Sequence, residues 1–235
     1  MYVMVLKKNI GRNSMNDKCG NWPEPWFEHI KSMARKMFEK AKGSHDWDHT
    51  LRVYGLCERI GKVEGADMEV VKIAAYLHDI GRSVQDQSAG KFCHAAEGAK
   101  LAREIVGQVP LSDFQKNNII HCVRSHRFRG NDEPKTLEAK VLFDADKLDS
   151  IGAVGVARAF LFAGEVGAKL HNPDIRIEHT LPYSKDDTGY REFKLKLSRI
   201  IDRILTTEGR KLAKERHEFM ETFFKRFLEE FEGKR

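Results

Sequence analysis

Apolar residues recur every three to four positions along most of the chain, the period of an amphipathic helix. The clearest windows are Val53, Leu56, Cys57 and Ile60, then Val70, Ile73 or Ala74, and Leu77. Near the end, Phe219, Met220, Phe223, Phe224, Phe227, Leu228 and Phe231 form a paired stripe that reads as core packing. No alternating run of β-branched residues is long enough to build a sheet. The pattern predicts an all-α, bundle-like domain.

Caps and breakers divide the pattern. A first helix is expected from Trp22–Pro25 to about Lys42, with Phe27, Ile30, Met33 or Ala34, and Met37 inward and Gly43 as its stop. Asp48 is expected to cap the second, which Gly61 and Gly65 end, and Asp67 the third, which ends at His78-Asp79-Ile80-Gly81. Further helices are expected over His94–Val106, over Ser112–His126, from Thr136 through Leu148, and over Ile151–Gly167. Arg127–Pro134 reads as a polar turn and His171–Gly189 as a long loop or lid. Two closing helices are expected, Tyr190–Thr206 and Glu208–Glu232.

A length of 235 residues suits one domain able to bury most of its apolar surface unaided. Residues 21–235 are read as that domain. Residues 1–20 are read as a disordered or dispensable segment, with Met15 as an alternative start. Met1–Leu6 is apolar but too short for a signal core or a membrane span.

Charged residues make up 32% of the chain and the net charge is +6. The charges are scattered, so a solvated surface explains them, and attraction of an anionic substrate is the sharper reading. No zinc-finger, basic-zipper or RNA-motif signature accompanies them, so a nucleic-acid partner is not expected. Cys19, Cys57, Cys93 and Cys122 include no C-x-x-C pair, which points to a reducing cytoplasm.

The candidate chemistry lies in His45-x-x-x-His49, His78-Asp79, His94, His121 with His126, and Asp146. His49 falls at the start of one helix and His78-Asp79 at the end of the next. In antiparallel neighbours those two ends meet. Asp146 lies in the apolar run Val141-Leu142-Phe143-Asp144-Ala145-Asp146, where a buried carboxylate needs a partner such as a cation. Two imidazoles and two carboxylates make a mixed N/O site for Mn²⁺, Fe²⁺, Co²⁺, Ni²⁺, Mg²⁺ or Zn²⁺. Such a set leaves positions open for water and a phosphate oxygen.

The segments His45-Asp46-Trp47-Asp48-His49-Thr50-x-Arg52-Val53, Leu77-His78-Asp79-Ile80-Gly81-Arg82 and Asp144-Ala145-Asp146-Lys147-Leu148-Asp149 resemble the HD phosphohydrolase superfamily. More narrowly, they resemble its small stand-alone bacterial and archaeal members. Ser125-His126-Arg127-Phe128, Ile151 through Arg158, and Phe193 through Arg216 extend the resemblance over nearly the whole chain.

The resemblance implies an HD-type helical bundle with added C-terminal helices. It implies metal ligands at His49, His78, Asp79 and Asp146, and hydrolysis of phosphate esters or anhydrides, often in nucleotides. His94 and His121 fall where some branches of the family supply a second metal, against the simpler reading that both are structural. Arg82 and Lys147, beside the ligands, are expected to act in catalysis. Arg52, Arg127, Arg158 and Lys194 are expected to bind substrate phosphate, since guanidinium forks suit phosphate oxygens. Asp149 is expected to orient a metal ligand.

Other chemistries lack their signatures. There is no phosphate-binding G-x-x-x-x-G-K-[ST] loop, no dinucleotide glycine fingerprint and no G-x-S-x-G elbow. The alternative to a hydrolase is a non-catalytic sensor that binds metal and nucleotide in the same pocket.

Overall fold

The computed structural model describes residues 26–38, 46–88, 91–127 and 132–235, and every regular element among them is helical. The expectations for residues 1–20, for the end of the first helix and for His45 lie outside the described residues.

α1 (Trp26–Phe38) buries Ile30, Ala34 and Phe38, four residues apart, with Phe27, Met33 and Met37 on its flanks. α2 (Trp47–Glu64) is capped by Asp46, not Asp48, because the Asp46 carboxylate accepts the backbone N–H of His49 at 2.9 Å. Gly61 stays inside α2, and Gly65, in the left-handed region at φ 76°, ends it.

α3 (Met68–Leu77) is apolar almost all round, with Val70, Val71 and Ile73–Leu77 buried. A helix of that kind belongs in the middle of a bundle. α3 packs against α1, α2, α6 (Asp113–Ser125) and α7 (Leu137–Leu148). α5 (His94–Val106) lies on α6.

α4 (Arg82–Gln87) was not visible in the hydrophobic pattern, because none of its six residues is buried. It lies between α3 and α5, whose ends meet at Gly81. A Cβ at Gly81 would stand 2.2 Å from the His94 carbonyl oxygen and 2.5 Å from the Gly98 amide. Only glycine lets the two helix ends approach so closely.

α8 (Gly152–Glu165) and α10 (Thr207–Phe231) pack on one another, and α10 also touches α2 and α7. Met220 and Phe224 are buried, Phe223 and Phe227 pack beside them, and Phe219 and Phe231 are exposed at the stripe's ends.

The helix expected over Tyr190–Thr206 is broken. α9 (Gly189–Leu195) is followed by two 3₁₀ turns, Leu197–Arg199 and Ile201–Arg203, and then by extended backbone at Ile204. The end of this stretch is held by Asp144 on α7. Its buried carboxylate accepts Leu205 N–H at 2.9 Å, Thr206 N–H at 2.7 Å and the Thr206 hydroxyl at 2.6 Å, which fixes the chain just before α10.

The segment before α9, expected as a loop or lid, is irregular apart from one 3₁₀ turn, Ile177–His179. It is anchored by the buried Arg191 guanidinium, which donates to Asp187 at 2.6 Å and also to Thr180. Among the described residues no helix is long and apolar enough to cross a membrane.

Candidate metal centre

The first turn of α2, the end of α3 and the last turns of α7 converge. The His49 Nε2 lies 3.3 Å from the His78 Nε2, 3.4 Å from an Asp146 oxygen and 4.0 Å from Asp79 Oδ2. The His78 Nε2 lies 3.8 Å from the same Asp79 oxygen. His49, His78 and Asp79 are buried, whereas the Asp146 side chain retains 15% exposure and marks the open side.

A second group shares Asp79. Its Oδ1 lies 3.0 Å from the His94 Nε2 and 3.5 Å from the His126 Nε2, and those two nitrogens are 3.1 Å apart. Asp79 therefore faces one histidine pair with each oxygen.

The outer nitrogens fix how the rings face. The Nδ1 atoms of His78 and His126 donate to the carbonyls of Ala75 and Val123, at 2.8 and 2.7 Å. His94 Nδ1 donates to Gln85 Oε1 at 2.9 Å, and the His94 backbone N–H donates to the same atom at 3.2 Å. His49 Nδ1 donates to Asp149 Oδ2 at 2.7 Å. In all four rings Nε2 is the inward atom, the arrangement that outer hydrogen bonds impose on metal-binding histidines.

The charges agree. Burial lowers the pKa of His78 and of His94 to about 4, so each presents an uncharged Nε2 lone pair at neutral pH. For His94 that lone pair sits 3.0 Å from a carboxylate oxygen, a contact between two acceptors that a cation relieves. Burial opposes charge on His49, but hydrogen bonds to Asp146 and Asp149 outweigh it and raise its pKa to about 9. A proton there does in part what a metal ion would do. Burial also works against the Asp146 charge, yet Lys147 and His49 hold its carboxyl well below the usual range.

Two ligands each about 2.1 Å from an ion and roughly 100° apart lie about 3.2 Å from one another. The inner distances run from 3.0 to 3.5 Å in the second group and from 3.3 to 4.0 Å in the first. Two donor sets could each hold a divalent cation, His49 with His78 and Asp79, and Asp79 with His94 and His126. Asp146 stands beside the first through its contact with His49.

His121, expected beside His94, is not brought to the cluster. Its Nε2 accepts the Lys135 backbone N–H at 3.0 Å, which ties the end of the α6–α7 connection to α6. His126 stands in the cluster instead. A five-residue separation turns the two side chains about 140° apart on a helix, so they cannot share one target. The signal for His126 was its position as the residue that closes α6, as His78 closes α3.

The positive residues divide into two groups. Arg82 donates to both oxygens of Asp79, at 3.3 and 3.1 Å, and Lys147 donates to Asp146 at 2.6 Å. Both stand at the cluster itself. Arg52 and Arg158, expected to meet substrate, are engaged behind His49. Arg52 donates to the two Asp149 oxygens at 2.7 and 3.1 Å, and Arg158 donates to Asp149 Oδ2 at 2.6 Å and to its carbonyl. Burial opposes the Asp149 charge, but His49 and Arg52 outweigh it and lower its pKa. Arg127 reaches Gln85 at 3.4 Å beside His126, and Lys194 is exposed on α9.

Comparison with known proteins gives the family. The HD domain family model matches residues 46–151. YpgQ of Bacillus subtilis, an uncharacterized protein, is 33% identical over 214 residues, which span 88% of this chain and 94% of YpgQ. The crystal structure of YpgQ in complex with ADP superposes with a TM-score of 0.66 over 87% of this chain and 94% of that one. A predicted HD superfamily hydrolase from an uncultured Thermotogales bacterium, 27% identical, gives a TM-score of 0.64 over 87% of this chain and 92% of its own. Ribonuclease Y of Chloroflexus aurantiacus is 29% identical over 119 residues, only 21% of that longer protein. The chain belongs to the HD-domain phosphohydrolase superfamily, among its small stand-alone members.

Proposed function

We propose that this protein is a metal-dependent hydrolase that cleaves a phosphate ester or anhydride bond in a small phosphorylated molecule, most naturally a nucleotide. The observation that carries the reading is the buried cluster of inward Nε2 atoms around Asp79, open at Asp146 and flanked by Lys147 and Arg82. ADP bound to the similar YpgQ supports the choice of a nucleotide.

A divalent ion bound there supplies Lewis acidity and an acidified water. His49, His78, Asp79 and Asp146 would hold it, and Asp79, His94 and His126 could hold a second. Lys147 and Arg82 place positive charge where phosphoryl oxygens gain negative charge. Arg127, at the rim of the second group, is a phosphate-binding residue, and Lys194 serves the same role from α9. Arg52 and Arg158 hold Asp149, which holds His49. Manganese, iron, cobalt, nickel, magnesium and zinc all suit the donor set. The free thiols of Cys57, Cys93 and Cys122 suit a cytoplasmic setting.

The test is product release from a panel of nucleotides by metal-stripped protein resupplied with Mn²⁺, Mg²⁺, Co²⁺ or Ni²⁺, beside Asp79→Ala. Both phosphate and pyrophosphate are measured. Metal-dependent release that disappears in the variant supports the reading. A non-catalytic sensor is the second reading, since the ADP complex of YpgQ speaks of binding alone. Tight nucleotide binding by metal-loaded protein with no release from any member of the panel would favour it.

A further inference from the structure

Lys147 and Arg203 approach the same buried ring. The Lys147 Nζ lies 5.1 Å from the centre of Phe143 and the Arg203 guanidinium carbon 5.9 Å from it, which places the two charges within roughly 11 Å of one another. Lys147 is committed to Asp146 at the open side of the metal cluster. Arg203 is exposed and makes no ion pair among the described residues.

The position of Arg203 is built in. It ends the 3₁₀ turn Ile201–Arg203, and the backbone two and three residues later is held by the buried Asp144 carboxylate. Around α7, Asp146, Phe143, Lys147 and Asp144 follow one another in angular order, at intervals of about 40° to 60°. The turn that Asp144 secures therefore lies beyond Lys147 as seen from the metal cluster. A chain of phosphoryl groups that started at Asp146 and passed Lys147 would run toward Arg203.

We propose that Arg203 is a substrate-binding residue that grips a second phosphoryl group of a nucleoside di- or triphosphate, with Lys147 between it and the reacting phosphorus. Guanidinium meets phosphate oxygens in paired hydrogen bonds, and Phe143 lies within 5.9 Å of the Arg203 guanidinium carbon. The inference rests on the hydrolase reading. It adds that the protein distinguishes polyphosphorylated nucleotides from monophosphates through a residue outside the metal-binding motifs.

The test is steady-state kinetics of the full chain loaded with Mn²⁺, on nucleoside mono-, di- and triphosphates, for the wild type, Arg203→Ala and Arg203→Lys. Loss of a charged hydrogen-bond pair corresponds to a KM higher by about 10- to 100-fold. That rise is expected in Arg203→Ala for the di- and triphosphate, with a much smaller one for the monophosphate. The turnover number and Mn²⁺ affinity are expected to stay near wild type, and the lysine variant to recover part of the loss. An unchanged KM for the triphosphate in a turning-over enzyme, or an equal rise for all three nucleotides, overturns the assignment of Arg203 alone. If no nucleotide is hydrolysed, equilibrium binding of ADP to the same proteins replaces KM, and weaker binding by Arg203→Ala is still expected. A wild type that neither hydrolyses nor binds any nucleotide sinks both readings.

Discussion

The His49 Nδ1 donates to Asp149 Oδ2 across 2.7 Å, although the two residues are 100 positions apart in sequence. Asp149 is itself gripped by Arg52 and Arg158, so two guanidinium groups act on the metal cluster through one carboxylate and one imidazole. Arg52→Ala and Arg158→Ala should therefore weaken Mn²⁺ binding by about 10- to 100-fold, the usual cost of losing an outer partner of a ligand. The KM for nucleotide at saturating metal should change little. Calorimetric metal titration beside kinetics checks this, and a raised KM with unchanged metal affinity would return both arginines to the substrate.

His126 and His121 offer a paired test. His126→Ala removes an inward nitrogen from the group shared by Asp79 and His94 and should lower the number of Mn²⁺ ions bound per chain. His121→Ala loses only the bond from Lys135 and should leave that number unchanged. Metal analysis after equilibrium dialysis reads both. Equal stoichiometry in wild type and His126→Ala would limit the site to one ion.

The raised pKa of His49 sets a pH dependence. In the metal-free chain this group titrates at about 9, against about 6.5 when unfolded. A raised folded value stabilises fully below the unfolded one, and the contribution is lost as pH rises through the folded one. Metal-free protein should thus lose thermal stability between pH 6.5 and pH 9. Metal must displace the same proton, so Mn²⁺ affinity should climb with pH up to about 9. Melting curves in chelator and titrations at several pH values test the pair of effects. Flat profiles in both would mean that His49 carries no such proton.

Asp144 has a structural role that separates cleanly from the chemistry. Asp144→Ala leaves three donors at Leu205 and Thr206 without their acceptor and should cost about 3 kcal/mol of stability. Urea denaturation measures this. Mn²⁺ affinity should persist while the variant is folded, and a loss of metal without a loss of stability would contradict the assignment.

Much of this was legible in the sequence because period and motif coincided. The helices around His94–Val106 and Asp113–Ser125 announce themselves by apolar spacing and a Ser112 cap. What the pattern hid was decided by distant contacts. The broken stretch after Leu195 has apolar residues at helical spacing, and its end is held by Asp144 from another helix, which spacing cannot show. The six residues of α4 bury nothing and so carry no period. That Asp149 lies between Arg52 and Arg158 carries no sequence signal, because the fold brings Arg52 to it from 97 residues away. The choice of His126 over His121 depends on the rotation of α6, which its packing against α3, α5 and α7 sets.

Three carboxylates within six residues serve three different partners. Asp144 holds the chain before α10, Asp146 faces the metal cluster, and Asp149 steadies His49. Each looks in its own direction because the helix and its last turn rotate about 100° per residue. One inserted or deleted residue between Leu142 and Asp149 would turn some of them away from their partners by that angle. Length variation should therefore be purged from this stretch even where single substitutions are tolerated.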